Sequence, residues 1–241
     1  MVRRKLAAAW MLAVVASLQA CGGGGSGSAG TPVVGGGDGT SGGSGSSGDA
    51  GSPISVSVGA SDLIVDGDTS ETYVQEFTVQ VVDSAGYPVK GASITPTVTL
   101  PYFLKGAWGL DADNAWQQYL SSGASPCANE DANANGTLDA GEDLDLDGQL
   151  APRAADVSVS YIDSKVTDVN GQMKVRIQYL QSSASWVAYT LKVAAKVSTS
   201  EGVGTYSSWL SWPAEQTADT STDLPFTVSP YGTGACVATS N

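Results

Sequence analysis

Short runs of alternating apolar and polar residues, none sustained at helical spacing, most limit how this chain folds. They occur at 54–58, 73–82, 93–100, 157–162, 173–180, 186–197 and 206–212, with 226–228 as a possible last edge. Successive side chains of a strand point to opposite faces, so such runs, rich in Val, Ile, Thr and Tyr, bury one face and wet the other. Turn chemistry separates them: Asp66-Gly67-Asp68, Ser84-Ala85-Gly86-Tyr87-Pro88, Asn170-Gly171 and Glu201-Gly202. Seven or eight short strands so punctuated predict an all-β antiparallel sandwich. One segment, 113–120, reads as a short helix, with Asp113 or Asn114 as cap and Trp116, Tyr119 and Leu120 on one side.

Only residues 53–241 can build that core. From 22 to 52, glycine and serine supply 22 of 31 residues and nothing bulkier than Pro32, Val33 and Val34 is present, so the segment is a flexible tether. Ahead of it, Arg3, Arg4 and Lys5, an apolar run from 6 to 18 and the small residues before Cys21 make up a secretory signal over 1–20. The run is too short for the roughly 20-residue helix that spans a bilayer. Leu18-Gln19-Ala20-Cys21 resembles the lipobox of bacterial lipoproteins. That resemblance implies cleavage before Cys21, acylation of its sulfur and, with Gly22 and not Asp next, anchoring in the outer membrane.

Charge narrows the chemistry. The chain carries 24 acidic residues against 11 basic ones, a net charge of −13, and no histidine. Serine and cysteine triads, imidazole bases and histidine-ligated zinc are therefore excluded, and phosphate backbones repel such a chain, which argues against a nucleic-acid partner. The acidic pairs Asp111/Asp113 and Asp66/Asp68 read as turn or surface residues, not as paired glycosidase carboxylates. No enzyme is expected.

Two segments carry a family resemblance. Val81-Val82-Asp83-Ser84-Ala85-Gly86-Tyr87-Pro88-Val89-Lys90-Gly91-Ala92 and Val166-Thr167-Asp168-Val169-Asn170-Gly171-Gln172-Met173-Lys174-Val175 resemble bacterial immunoglobulin-like domains of the invasin and intimin type. The resemblance implies an immunoglobulin-like sandwich with a structural or adhesive role and brings no catalytic residues. Where that family has a short connection, this chain has an insertion, 101–156.

Within the insertion, Asp131-Ala132-Asn133-Ala134-Asn135-Gly136-Thr137-Leu138-Asp139-Ala140-Gly141-Glu142 matches the twelve-position EF-hand loop. Oxygen side chains stand at 1, 3 and 5 (Asp131, Asn133, Asn135), glycine at 6, the Thr137 carbonyl at 7, Asp139 at 9 and a bidentate Glu142 at 12. Hard oxygen donors at flexible spacing suit Ca²⁺. Asp143, Asp145 and Asp147, before Gly148, begin a second loop, but its twelfth position is Ala154, which leaves that site incomplete. With no helix leaving the loops, the calcium segment, 127–150, resembles thrombospondin type 3 and dockerin-like loops more than a sensor EF-hand. Eight carboxylates from 130 to 156 face only Arg153, a repulsion that a bound cation relieves.

Cys127 and Cys236 are the cysteines left once Cys21 is lipidated, and in an exported protein they are expected to pair. Tyr102, Phe103, Trp108, Trp116 and Tyr119 either pack the insertion against the sandwich or form a sugar-stacking platform. Trp186, Trp209 and Trp212 are expected in the core or in packing between the sheets. The function this predicts is a lipid-anchored, calcium-stabilised structural or adhesive module with a protein or polysaccharide partner at the cell surface. Its alternative is a carbohydrate-binding module using the aromatics of 102–119.

Overall fold

The computed structural model describes residues 53–121, 123, 125–218 and 224–238. The signal segment 1–20, Cys21 and the tether 22–52 lie outside the described residues. Ten strands run in chain order: β1 Ile54–Asp66, β2 Thr72–Asp83, β3 Ser93–Phe103, β4 Gly106–Leu110, β5 Trp116–Leu120, β6 Cys127–Ala128, β7 Val157–Tyr161, β8 Gln172–Leu180, β9 Val187–Val197 and β10 Ser200–Trp209. A single turn of α-helix, α1 Ala214–Ala218, follows.

The strands form two four-stranded antiparallel sheets, β1-β2-β8-β7 and β10-β9-β3-β6, and a separate β4-β5 hairpin. Lettered in chain order without the insertion, β1, β2, β3, β7, β8, β9 and β10 become A to G. The sheets then read A-B-E-D and G-F-C, the constant-type immunoglobulin arrangement. Hairpin β4-β5, strand β6 and the acidic loops all fall between C and D.

Alternation explains the sheets. On β9, Tyr189, Leu191, Val193 and Ala195 are buried, whereas Lys192 and Lys196 are exposed. Phe77, Val79 and Val81 of β2 and Val175, Ile177 and Tyr179 of β8 meet them from the opposite sheet. Burying each such side chain contributes about 1.5–3 kcal/mol. The hydroxyls of the buried tyrosines are all paired: Tyr73 donates to Gln216 Oε1 at 2.8 Å, Tyr179 to the Ser211 carbonyl at 2.6 Å and Tyr189 to Gln75 Oε1 at 3.1 Å.

The two segments 81–92 and 166–175 lie against each other. Val81 N–H donates to the Gly171 carbonyl at 2.9 Å, Gly91 N–H to the Thr167 carbonyl at 2.9 Å and Thr167 N–H to the Ala92 carbonyl at 3.0 Å. Asp83 Oδ1 accepts the N–H groups of Ala85 and Tyr87, both at 2.9 Å, which fixes the turn that the aspartate begins.

Several expectations need correction. The segment 113–120 is not a helix: Trp116–Leu120 is β5, paired with β4. Asp111 Oδ1 accepts the N–H groups of Asp113 and Ala115, both at 2.9 Å, and Asn114 has φ 63°. The residues read as a helix cap therefore close a hairpin turn, and Trp116 and Tyr119 fall on opposite faces of the strand. The one short helix is instead Ala214–Ala218. Glu201-Gly202 is not a turn either; the chain reverses at Ser198 and Thr199, and β10 ends at Trp209, short of the expected 212. Glycine is needed inside β10 because its edge closes on β1: a Cβ on Gly202 or Gly204 would lie 2.7 Å from the carbonyl oxygen of Ile54 or Val56. Finally, Trp186 and Trp212 are buried as expected, but Trp209 is 37% exposed. The insertion is shorter than its sequence bounds, since 101–103 complete β3, and 226–228 makes only a single bridge, Val228 to Ala107.

Candidate metal centre

Cys127 and Cys236 form a disulfide with their Cα atoms 5.2 Å apart, closing a separation of 109 residues. It ties the start of the acidic segment to the C-terminal tail, which also runs beside β4: Gly106 N–H donates to Gly232 O at 3.1 Å and Trp108 N–H to Thr227 O at 2.7 Å. Ala238 N–H reaches the Leu144 carbonyl at 2.8 Å, and buried Tyr231 donates to Asp156 Oδ2 at 2.9 Å. The acidic loops thus hang on a covalent and hydrogen-bonded frame, with little apolar packing of their own.

The loops themselves are a repeat with a period of twelve. In the first, Asp131 Oδ1 accepts Asn135 N–H at 3.0 Å and Oδ2 accepts Gly136 N–H at 2.9 Å. In the second, Asp143 Oδ1 accepts Asp147 N–H at 3.0 Å and Oδ2 accepts Gly148 N–H at 2.9 Å. Asn133 Oδ1 takes Asn135 N–H at 2.9 Å as Asp145 Oδ1 takes Asp147 N–H at 3.1 Å. Asn135 Oδ1 takes Thr137 N–H at 2.7 Å as Asp147 Oδ1 takes Gln149 N–H at 2.8 Å. Backbone angles repeat as well: φ is 57° at Ala134 and 61° at Leu146, 73° at Gly136 and 80° at Gly148. The left-handed turn at the sixth position is what glycine supplies there.

Glu142 closes the first loop. Its Oε1 accepts Ala132 N–H, at position 2, at 3.1 Å, and its Oε2 accepts Asp139 N–H, at position 9, at 3.0 Å. In the second loop the equivalent donors are Leu144 and Ala151, and both donate to Glu130: Leu144 N–H to Oε1 at 3.0 Å and Ala151 N–H to Oε2 at 2.9 Å. Glu130, which precedes the first loop, therefore occupies the place in the second loop that Ala154 leaves empty in sequence. Glu130-Asp131 and Glu142-Asp143 stand twelve residues apart, so the period was readable, but a linear motif search looks for the twelfth ligand downstream and passes over Glu130.

Electrostatics favours a cation. Glu130, Asp143 and Asp145 bring carboxylate oxygens within 4.8 Å of one another, and this group can hold a metal ion. Glu130 is only 2% exposed. Burial pushes its carboxyl pKa up, the nearby Asp145 charge adds to the rise, and the Leu144 and Ala151 N–H groups oppose it. The buried Lys105 ammonium pairs with Asp145 Oδ2, one positive charge against three carboxylates. In the first loop Asp139 Oδ2 accepts the side-chain amides of Asn133 at 2.9 Å and Asn135 at 2.8 Å, which hold its carboxyl below the usual range.

Asp131, Asn133, Asn135, Asp139 and Glu142 are thus joined in one hydrogen-bonded loop, with Thr137 in it through its N–H. Asp143, Asp145 and Asp147 make the second, completed by Glu130. The insertion aromatics do not share one face: Phe103 is buried, Tyr102 and Tyr119 are exposed, and Trp108 and Trp116 are half-buried against the core. No family model matches the chain, and no curated protein is similar to it.

Proposed function

We propose that this is a non-catalytic, lipid-anchored envelope protein whose immunoglobulin-like domain serves as a structural or adhesive module, its insertion folded around two calcium ions. The observation that carries the calcium reading is the position-by-position match of the two loops, with Glu130 at the twelfth place of the second. Asp131, Asn133, Asn135, the Thr137 carbonyl, Asp139 and Glu142 hold the first ion. Asp143, Asp145, Asp147 and Glu130 hold the second. Charged oxygens at flexible spacing suit Ca²⁺, while Mg²⁺ demands a tighter octahedron and keeps more of its water.

Extracellular calcium modules bind at about 10⁻⁴–10⁻³ M, so both sites stay filled outside the cell and act as structure, not as sensors. Support for a non-enzymatic role comes from the other acids. Asp111 is engaged in its turn, and Asp68 pairs with Arg176 Nη2 at 3.0 Å. The anchor reading rests on the lipobox-like sequence ending in Cys21.

Thermal unfolding of the full chain with calcium and with chelator tests the proposal. At about 10 mM calcium, roughly 10- to 100-fold above Kd, each site adds about 1.4–2.7 kcal/mol, which for a domain of this size raises the midpoint by roughly 3–10 °C. Limited proteolysis should cut within 130–151 only in chelator. An unchanged midpoint and cleavage pattern in millimolar calcium would refute the calcium sites.

A further inference from the structure

A second feature lies apart from the acidic loops. Hairpin β4-β5, the segment before β9 and the stretch from the end of β10 to α1 line an open pocket of about 410 Å³. Three tryptophans line it, Trp108 from β4 and Trp209 and Trp212 from the end of β10 and the segment after it, together with Gln118, Ser211 and Thr217. In a chain with a net charge of −13, no lining residue is charged.

The walls are fixed. Trp108 Nε1 donates to Ser185 Oγ at 2.9 Å, and its ring packs on Trp212 with centroids 5.2 Å apart and planes tilted by 58°. Gln118 Nε2 donates to the Ser185 carbonyl at 3.1 Å, and its carbonyl oxygen accepts no hydrogen bond among the described residues. The indole N–H of Trp212 is buried and has no partner there either. Trp209, at the mouth, is the 37% exposed tryptophan that departs from the core.

We infer that this pocket binds a neutral sugar, one pyranose unit of a glycan, with its C–H face on Trp209 and its hydroxyls met by Gln118, Ser211 and Thr217. Tryptophan supplies a broad apolar face at little entropic cost, and a polyhydroxylated ring presents both the C–H bonds and the donors and acceptors that such a wall matches. An anionic sugar would meet no compensating cation in the pocket and the repulsion of an acidic protein around it. This assigns the chain a second function, independent of calcium.

The test is tryptophan fluorescence and calorimetry on the full, disulfide-bonded chain in calcium, titrated into the millimolar range with neutral cello-, malto-, manno- and N-acetylchito-oligosaccharides and with an oligogalacturonate as the charged comparison. A saturable shift with at least one neutral sugar is expected, weakened about tenfold or more by Trp209→Ala, which costs about 1.4 kcal/mol of binding. Gln118→Leu should weaken binding while leaving the fluorescence of the free protein unchanged, which guards against a folding defect in the tryptophan variant. No binding by any neutral sugar, binding that survives both substitutions, or equal binding of the anionic oligosaccharide would overturn the inference.

Discussion

Glu130 is the residue on which the candidate metal centre turns. A buried carboxyl that accepts two backbone N–H groups and faces two more carboxylates is costly to keep charged without a cation. Glu130→Gln preserves the shape and the acceptor oxygen for one of those donors but removes the charge. We expect it to lower the midpoint in about 10 mM calcium by roughly 3–10 °C, the contribution of one site, while raising or leaving unchanged the midpoint in chelator. Glu142→Gln should act alike on the first loop. Calorimetric melts of both variants, with and without calcium, check this, and a loss of equal size in chelator would show a purely structural role. Of the acidic ligands, all but Glu130 were legible from the twelve-position spacing. Glu130 was not, because the twelfth ligand of the second loop arrives from upstream, and only the folded chain brings position 130 beside 144 and 151.

At the scale of elements, the strands are readable because half-buried sheets force a period of two, and the long runs of β2, β3, β8 and β9 are found in place. The misreadings sit where local signals compete. Asp113-Asn114 looks like a helix cap, yet the preceding Asp111 takes the N–H groups first and makes a hairpin. Gly202 looks like a turn, yet it is where β10 closes on β1. Gly204→Val would push a side chain into the Val56 carbonyl, 2.7 Å from the position of its Cβ, and overpacking of this kind costs about 1–3 kcal/mol. Urea titration should show a lower midpoint, and an unchanged one would mean that the sheet edges separate easily. The disulfide acts between elements. Cys127→Ser, Cys236→Ser and the double substitution should each cost the same amount, about 4–5 kcal/mol on the loop-entropy model for a separation of 109 residues. Clearly additive losses would show that the cysteines act apart from their bond.

For the whole molecule, the folded domain is a sandwich of immunoglobulin topology interrupted once, between its third and fourth principal strands, and the proposed function sets an address and a tether ahead of it. The interruption is where the chain departs from a plain module: its loops carry too little apolar surface to fold by burial, so a disulfide and, on the proposed function, a cation do what a core does elsewhere. On the proposed anchor, Cys21→Ser should move the protein from the membrane fraction to the soluble one without changing the thermal midpoint of the domain, because this acidic surface gives anionic lipid nothing to hold. Unaltered partition would refute the anchor.

The central claim, two calcium ions held by interlocked loops, is tested most directly by the ion stoichiometry of the intact chain in native mass spectrometry from a calcium-containing volatile buffer. The account predicts two bound ions in the native chain, and one each in Glu130→Gln and Glu142→Gln at calcium levels that saturate the native protein. No bound ion, or a single ion whose presence is indifferent to Glu130, would contradict it.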